Sequence, residues 1–145
     1  MHIFRLLLCL LAVGLYAGSA HAQNGSTAPL ERLKAYHFGG DPSVLDSVAQ
    51  WVRESRPDPD RRRQAARDLA AFLRSDAAFD AKQFACRQLV LIASEEQVST
   101  LAGLLQDDSL AHYALLVLTG ISGKAVDEAL LRALPRARGA RGSRS

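Results

Sequence analysis

The sequence predicts an all-α fold, an α-solenoid of about three stacked antiparallel helical hairpins. Three observations carry this. The C-terminal half repeats itself: residues 113–134 restate residues 84–105 at an offset of 29, pairing Ala85 with Ala114, Leu89 with Leu118, Ile92 with Ile121, Leu101 with Leu130 and Leu105 with Leu134. A period near thirty that holds two apolar-striped segments marks a stacked helical array. Apolar residues between 29 and 134 recur at helical spacing, and no stretch alternates apolar with polar as a strand does. Start and stop signals lie a few residues apart, so short linkers make successive helices antiparallel neighbours.

The elements follow in order. Residues 29–37 read as a short helix with Leu30, Leu33 and Tyr36 or His37 on one face, ended by Gly39-Gly40. Asp41-Pro42 starts the next, because Asp accepts from the free amides of the first turn and Pro lacks a donor where none is needed. Its stripe is Val44, Leu45, Val48, Trp51 and Val52, and Arg56-Pro57 stops it, since the residue before proline avoids helical geometry. Asp58-Pro59 repeats the start signal for a helix over 59–75, with Ala65, Ala66, Leu69, Phe72 and Leu73 inward. Asp80, answered by Gln83, is the expected cap of the following helix. Its Phe84, Ala85, Leu89, Val90 and Ile92 give a nearly all-round apolar surface. Ser94 with Gln97 forms a capping box that opens 95–106, with Val98, Leu101, Leu104 and Leu105 inward. Asp107 or Asp108 caps 109–119. The 120–123 segment turns the chain into a last helix over 124–134, which Pro135 ends. Leu69, Phe72 and Leu73 share the spacing of Leu101, Leu104 and Leu105, so the unit recurs about three times with drifting length.

Residues 1–22 read as a cleavable export signal. Arg5 supplies the charge, 6–16 the apolar run and Ala20-His21-Ala22 the small-x-small cleavage site, so the chain is expected to be periplasmic or secreted. No membrane span is expected after cleavage, which leaves 123 of the 145 residues, enough for one small domain with a core. Residues 23–28 form a polar lead-in, 29–135 the repeat domain and 136–145 a disordered basic tail. Three readings of that tail stand open: a basic arm for an anionic surface, an inert solvated tail, or the end of a shortened or out-of-frame array. Of the two cysteines, Cys9 leaves with the signal. Cys86 is expected to be a buried, inert thiol, so helix packing alone must stabilise the fold.

The net charge of +3 is concentrated at the ends. Arg5 and four arginines in the last ten residues account for five of the 18 basic residues. The remaining 13 face 15 acidic ones, a net of −2 for residues 23–135. A near-neutral fold gives no footprint for nucleic acid.

The repeat register, the Val98/Leu101/Leu105 stripe, the acidic turn at Asp107-Asp108 and the break at 120–123 resemble HEAT-type repeat proteins, in the short-repeat variety also found in phycobilin lyases. The resemblance is clearest over 82–134. It implies a right-handed stack of hairpins with a curved inner face for ligands, and it extends to exported bacterial arrays that accompany sugar-acting or haem-binding domains. Lyase-like chemistry on a tetrapyrrole has only this resemblance behind it.

Chemistry is not expected from the residues themselves. His37 at a helix end and His112 beside Tyr113 lack Cys or carboxylate partners at metal-ligand spacing. Glu95-Glu96, Asp107-Asp108 and Asp127-Glu128 are adjacent pairs that diverge on a helix instead of converging as a general acid and base. No catalytic residue, metal or cofactor is expected. The expected function is an exported, non-catalytic scaffold binding an unknown protein (or a polymer) through its inner helices, over 59–75, 95–106 and 124–134. The named contact candidates are Arg62, Arg63, Gln97, Thr100, Asp127 and Arg132. The alternative is an accessory or truncated repeat domain of a larger secreted sugar-acting or redox enzyme system. Weak self-association through an uncapped end is a further expectation.

Overall fold

The computed structural model describes residues 28–142, and these are all-helical. The expected signal and most of the polar lead-in lie outside the described residues. Seven α-helices follow one another: α1 (Ala28–Leu33), α2 (Pro42–Ser55), α3 (Pro59–Leu73), α4 (Phe79–Leu89), α5 (Val98–Leu104), α6 (Ala111–Thr119) and α7 (Lys124–Gly142), with a 3₁₀ turn at Glu95–Gln97 leading into α5. No helix among the described residues is long and apolar enough to cross a membrane.

The start signals act as their chemistry requires. Asp41 accepts from the Ser43 amide at 2.9 Å and from the Ser43 hydroxyl at 2.7 Å, with Pro42 opening α2. Asp58 accepts from the Asp60 and Arg61 amides at 2.9 and 3.1 Å. Of the two aspartates before α6, Asp107 is the one used: its carboxylate accepts from the Ser109 and Leu110 amides at 2.9 and 3.2 Å. The bonded turn delays α6 until Ala111.

Several boundaries differ from expectation. α1 ends at Leu33, where the Tyr36 amide reaches the Leu33 carbonyl and tightens the last turn. His37 therefore lies in a loop, its carbonyl accepting from Gly40 across Gly39 (φ +86°), and not at a helix end. Asp80 does not cap α4; Ala78 holds that position and Asp80 sits within the first turn. Its carboxylate instead accepts from the Phe38 amide at 2.8 Å, 42 residues away, where the helix dipole still favours negative charge. α7 continues through Pro135 to Gly142 instead of ending at Leu134. Proline removes one donor, and the Leu-, Ala- and Arg-containing flanks are good helix formers.

Packing joins neighbours and next-neighbours. α2 packs on α1 and α3, α3 on α4, α4 on α6, and α5 on both α6 and α7, while the 3₁₀ turn rests on α3 and α5. Leu33, Val48, Val52, Leu69, Leu73, Leu89 and Leu101 are closed from solvent in one continuous core. The sequence repeat is partly mirrored in burial. Ala85 and Ala114, and likewise Leu89 and Leu118, are fully buried, whereas Leu101 is buried and its counterpart Leu130 only half so.

Candidate functional site

A concavity with a volume of about 460 Å³ lies between α5 and α7. Small side chains create it: Ala102 and Gly103 on α5 oppose Ala125, Ala129 and Ala133 on α7, leaving the two helices without the bulk that would fill the space between them. Val98 and Ala129 are buried at its floor, and Glu95, Ser99, Gln106, Glu128 and Arg132 stand exposed around it. At one end Glu95 lies over Gly123, where φ is +139°. That backbone conformation is one that residues with a Cβ rarely adopt, so the turn requires a glycine, and its bare Cα lets the Glu95 carboxylate approach.

Six residues were expected to form the contact surface, and the structure brings one of them to the groove. Arg132 lines it, its Nε donating to the Glu128 carbonyl at 3.0 Å and its guanidinium 4.0 Å from the Glu128 carboxylate. Asp127 is exposed in the first turn of α7 but is not among the groove-lining residues. Gln97 is 2% exposed and unavailable to a partner. It completes the capping box, accepting from the Ser94 amide at 2.9 Å, because a side chain that folds back on its own helix start is drawn inward with it. The Thr100 hydroxyl accepts from the Arg74 guanidinium at 2.8 Å and so ties α3 to α5.

Arg62 and Arg63 do not share one surface role. Arg62 donates to the Arg56 carbonyl at 3.3 Å, behind the end of α2. Arg63 pairs with Asp60 at 3.2 Å and with Glu96 at 3.6 Å, and Arg67 reaches the same Glu96 at 3.5 Å. These exposed pairs join α3 to the 3₁₀ turn and contribute little stability individually. Trp51 is half-buried against the core.

The polar residues that sequence reasoning missed are the long-range ties. Lys34 pairs with Asp76 at 2.7 Å, and the Ala78 amide donates to the Lys34 carbonyl at 3.0 Å. The hydrogen bond that the Lys34 ammonium donates to the Asp76 carboxylate raises the Lys34 pKa above its ordinary value and holds Asp76 below its own. Gln83 donates to the Tyr113 hydroxyl, linking α4 to α6. The contributing residues lie about thirty or more apart in the chain, so no local pattern announces them. Among the described residues no group of His, Cys, Asp and Glu side chains is arranged to hold a metal ion. Comparison with protein-family models, with curated proteins and with solved structures finds no match.

Proposed function

We propose that the chain is an exported, non-catalytic scaffold of about three HEAT-like helical hairpins that binds a protein segment in the groove between α5 and α7. The groove itself carries this reading. Its apolar floor of Val98, Ala102 and Ala129 offers burial to an apolar side chain, and its rim supplies both acceptors and donors from Glu95, Ser99, Gln106, Glu128 and Arg132. The repeat register supports the solenoid part, since the matched pairs Ala85/Ala114 and Leu89/Leu118 are buried alike. Export rests on the residue pattern of 1–22.

Gly103 provides the test. A Cβ added there meets nothing within 4 Å, so Gly103→Trp can fill the groove without disturbing the backbone. Affinity capture from the exported fraction should recover a protein with the wild-type chain. Gly103→Trp should reduce that recovery roughly tenfold, as loss of about 1.4 kcal/mol would, while leaving the far-UV circular dichroism unchanged. Equal recovery by both chains would remove the groove from the function.

A further inference from the structure

Three aromatic rings meet at one place on the surface. Phe79 opens α4 and Tyr113 lies in the first turn of α6, and their rings stand 6.3 Å apart at 64°. His112 meets the Tyr113 ring at 5.6 Å and 74°. Gln83, one turn after Phe79, donates its Nε2 to the Tyr113 hydroxyl, so two helices that pack together hold the cluster in place. The core does not close over it: Phe79 is 46% exposed, His112 is exposed, and Tyr113 and Gln83 are half-buried.

The polar groups of this cluster are only partly spent. A tyrosine hydroxyl both accepts and donates, and a glutamine amide has an acceptor oxygen beside its donor nitrogen. Among the described residues the Tyr113 O–H donates to nothing and the Gln83 Oε1 accepts from nothing. None of the buried side-chain oxygens among them lacks a partner, so the Gln83 Oε1 is open to solvent. A donor and an acceptor therefore stand side by side at the rim of exposed rings. The four contacting side chains include no carboxylate, ammonium or guanidinium. Their charged neighbours on α4 are engaged elsewhere: Asp80 accepts from the Phe38 amide at 2.8 Å, and Lys82 lies within electrostatic reach of Asp76.

We propose that Phe79, His112 and Tyr113, with Gln83, form a binding site for a neutral sugar, one pyranose ring of a glycan. The chemistry of the cluster selects this ligand. A pyranose with equatorial hydroxyls carries polarised C–H groups on its faces, which suit the negative face of an aromatic ring. Neighbouring hydroxyls on its rim donate and accept together, as the Gln83 Oε1 and the Tyr113 O–H require. An aliphatic side chain would leave that polar pair unmatched, and an acidic ligand would find no ammonium or guanidinium among the contacting groups. The tie from Gln83 to Tyr113 fixes the rings before the ligand arrives, which lowers the ordering cost of binding. This site lies on α4 and α6, apart from the groove between α5 and α7, and does not rest on the reading of that groove.

Amide NMR spectra of the isotope-labelled chain, titrated with cellohexaose and separately with maltohexaose, test it. Saturable shifts should appear with at least one of the two sugars and centre on Phe79, Gln83, His112 and Tyr113; the sugar that binds identifies the linkage. Phe79→Ala should weaken binding roughly tenfold by removing a stacking face. Tyr113→Phe keeps the ring and removes the hydroxyl, and should weaken binding roughly fivefold. Both should leave the circular dichroism unchanged. Should Phe79→Ala fail to fold, Tyr113→Phe decides, because it retains the ring. Gly103→Trp should bind the sugar as the wild type does, which separates this site from the groove. No saturable shift with either sugar would overturn the proposal. Shifts centred on another surface, such as that around Trp51, or binding that Phe79→Ala and Tyr113→Phe leave unchanged, would overturn it as well.

Discussion

Cys86 shows how one residue's surroundings decide its chemistry. It is closed into the core on α4, and burial pushes its thiol up to about 12, because the thiolate has no solvent to stabilise it there. Alkylation of Cys86 should therefore be negligible in the native protein and become fast only through the unfolding transition, so that labelling tracks the loss of helix. Rapid labelling under native conditions would contradict the burial. The pattern of Phe84, Leu89 and Val90 around it was enough to expect this. Gln97 was not legible in the same way. Its position in a capping box was readable, but that the box would carry the side chain inward is set by how the 3₁₀ turn rests on α3 and α5. Asp80 is a similar case: its carboxylate accepts from the Phe38 amide, while the cap position falls two residues earlier at Ala78, whose amide donates to the Lys34 carbonyl.

Helices α2 and α3 owe their starts to carboxylates whose folded-state affinity for protons is lowered. Hydrogen bonds from Ser43 hold Asp41 below the ordinary value of 3.8, and backbone hydrogen bonds from Arg61 and Asp60 do the same to Asp58. A carboxylate depressed on folding contributes stability that is fully present above its unfolded value and lost as pH falls through its lower folded value. The melting temperature should thus decline as pH drops below about 3.8, and Asp58→Asn together with Asp41→Asn should make that decline shallower. Thermal melts across an acid series check this; identical slopes for variant and wild type would exclude the two caps as a source. Capped starts were the most readable feature of the chain, since Asp-Pro fixes both the acceptor and the first-turn φ locally. Helix ends were less readable. α1 stops at Leu33 and α7 passes through Pro135, because an end is set by which turn the following backbone can complete, and not by a single residue.

At the scale of the molecule, one continuous core joins α1 to α7, so a cavity anywhere within it should be felt everywhere. Leu89→Ala, at a fully buried position on α4, should destabilise the fold by about 2–5 kcal/mol. Trp51 reports α2 while far-UV circular dichroism reports all the helices, and the two transitions should shift together. Separate shifts would show that the array unfolds in parts, as long helical repeats can. The sequence by itself determined that the described chain is all-helical, where most helices begin, and much of the buried apolar set, although Val90 is exposed and Leu104, Leu105 and Leu130 are only half-buried, because periodicity, caps and turns act over a few residues. Only the tertiary structure decided that Thr100 is tied to Arg74, that Arg63 and Arg67 converge on Glu96, and that a groove opens between α5 and α7. Those features depend on the approach of segments far apart in the chain, and that approach is fixed by the summed packing of the core, which no local window contains.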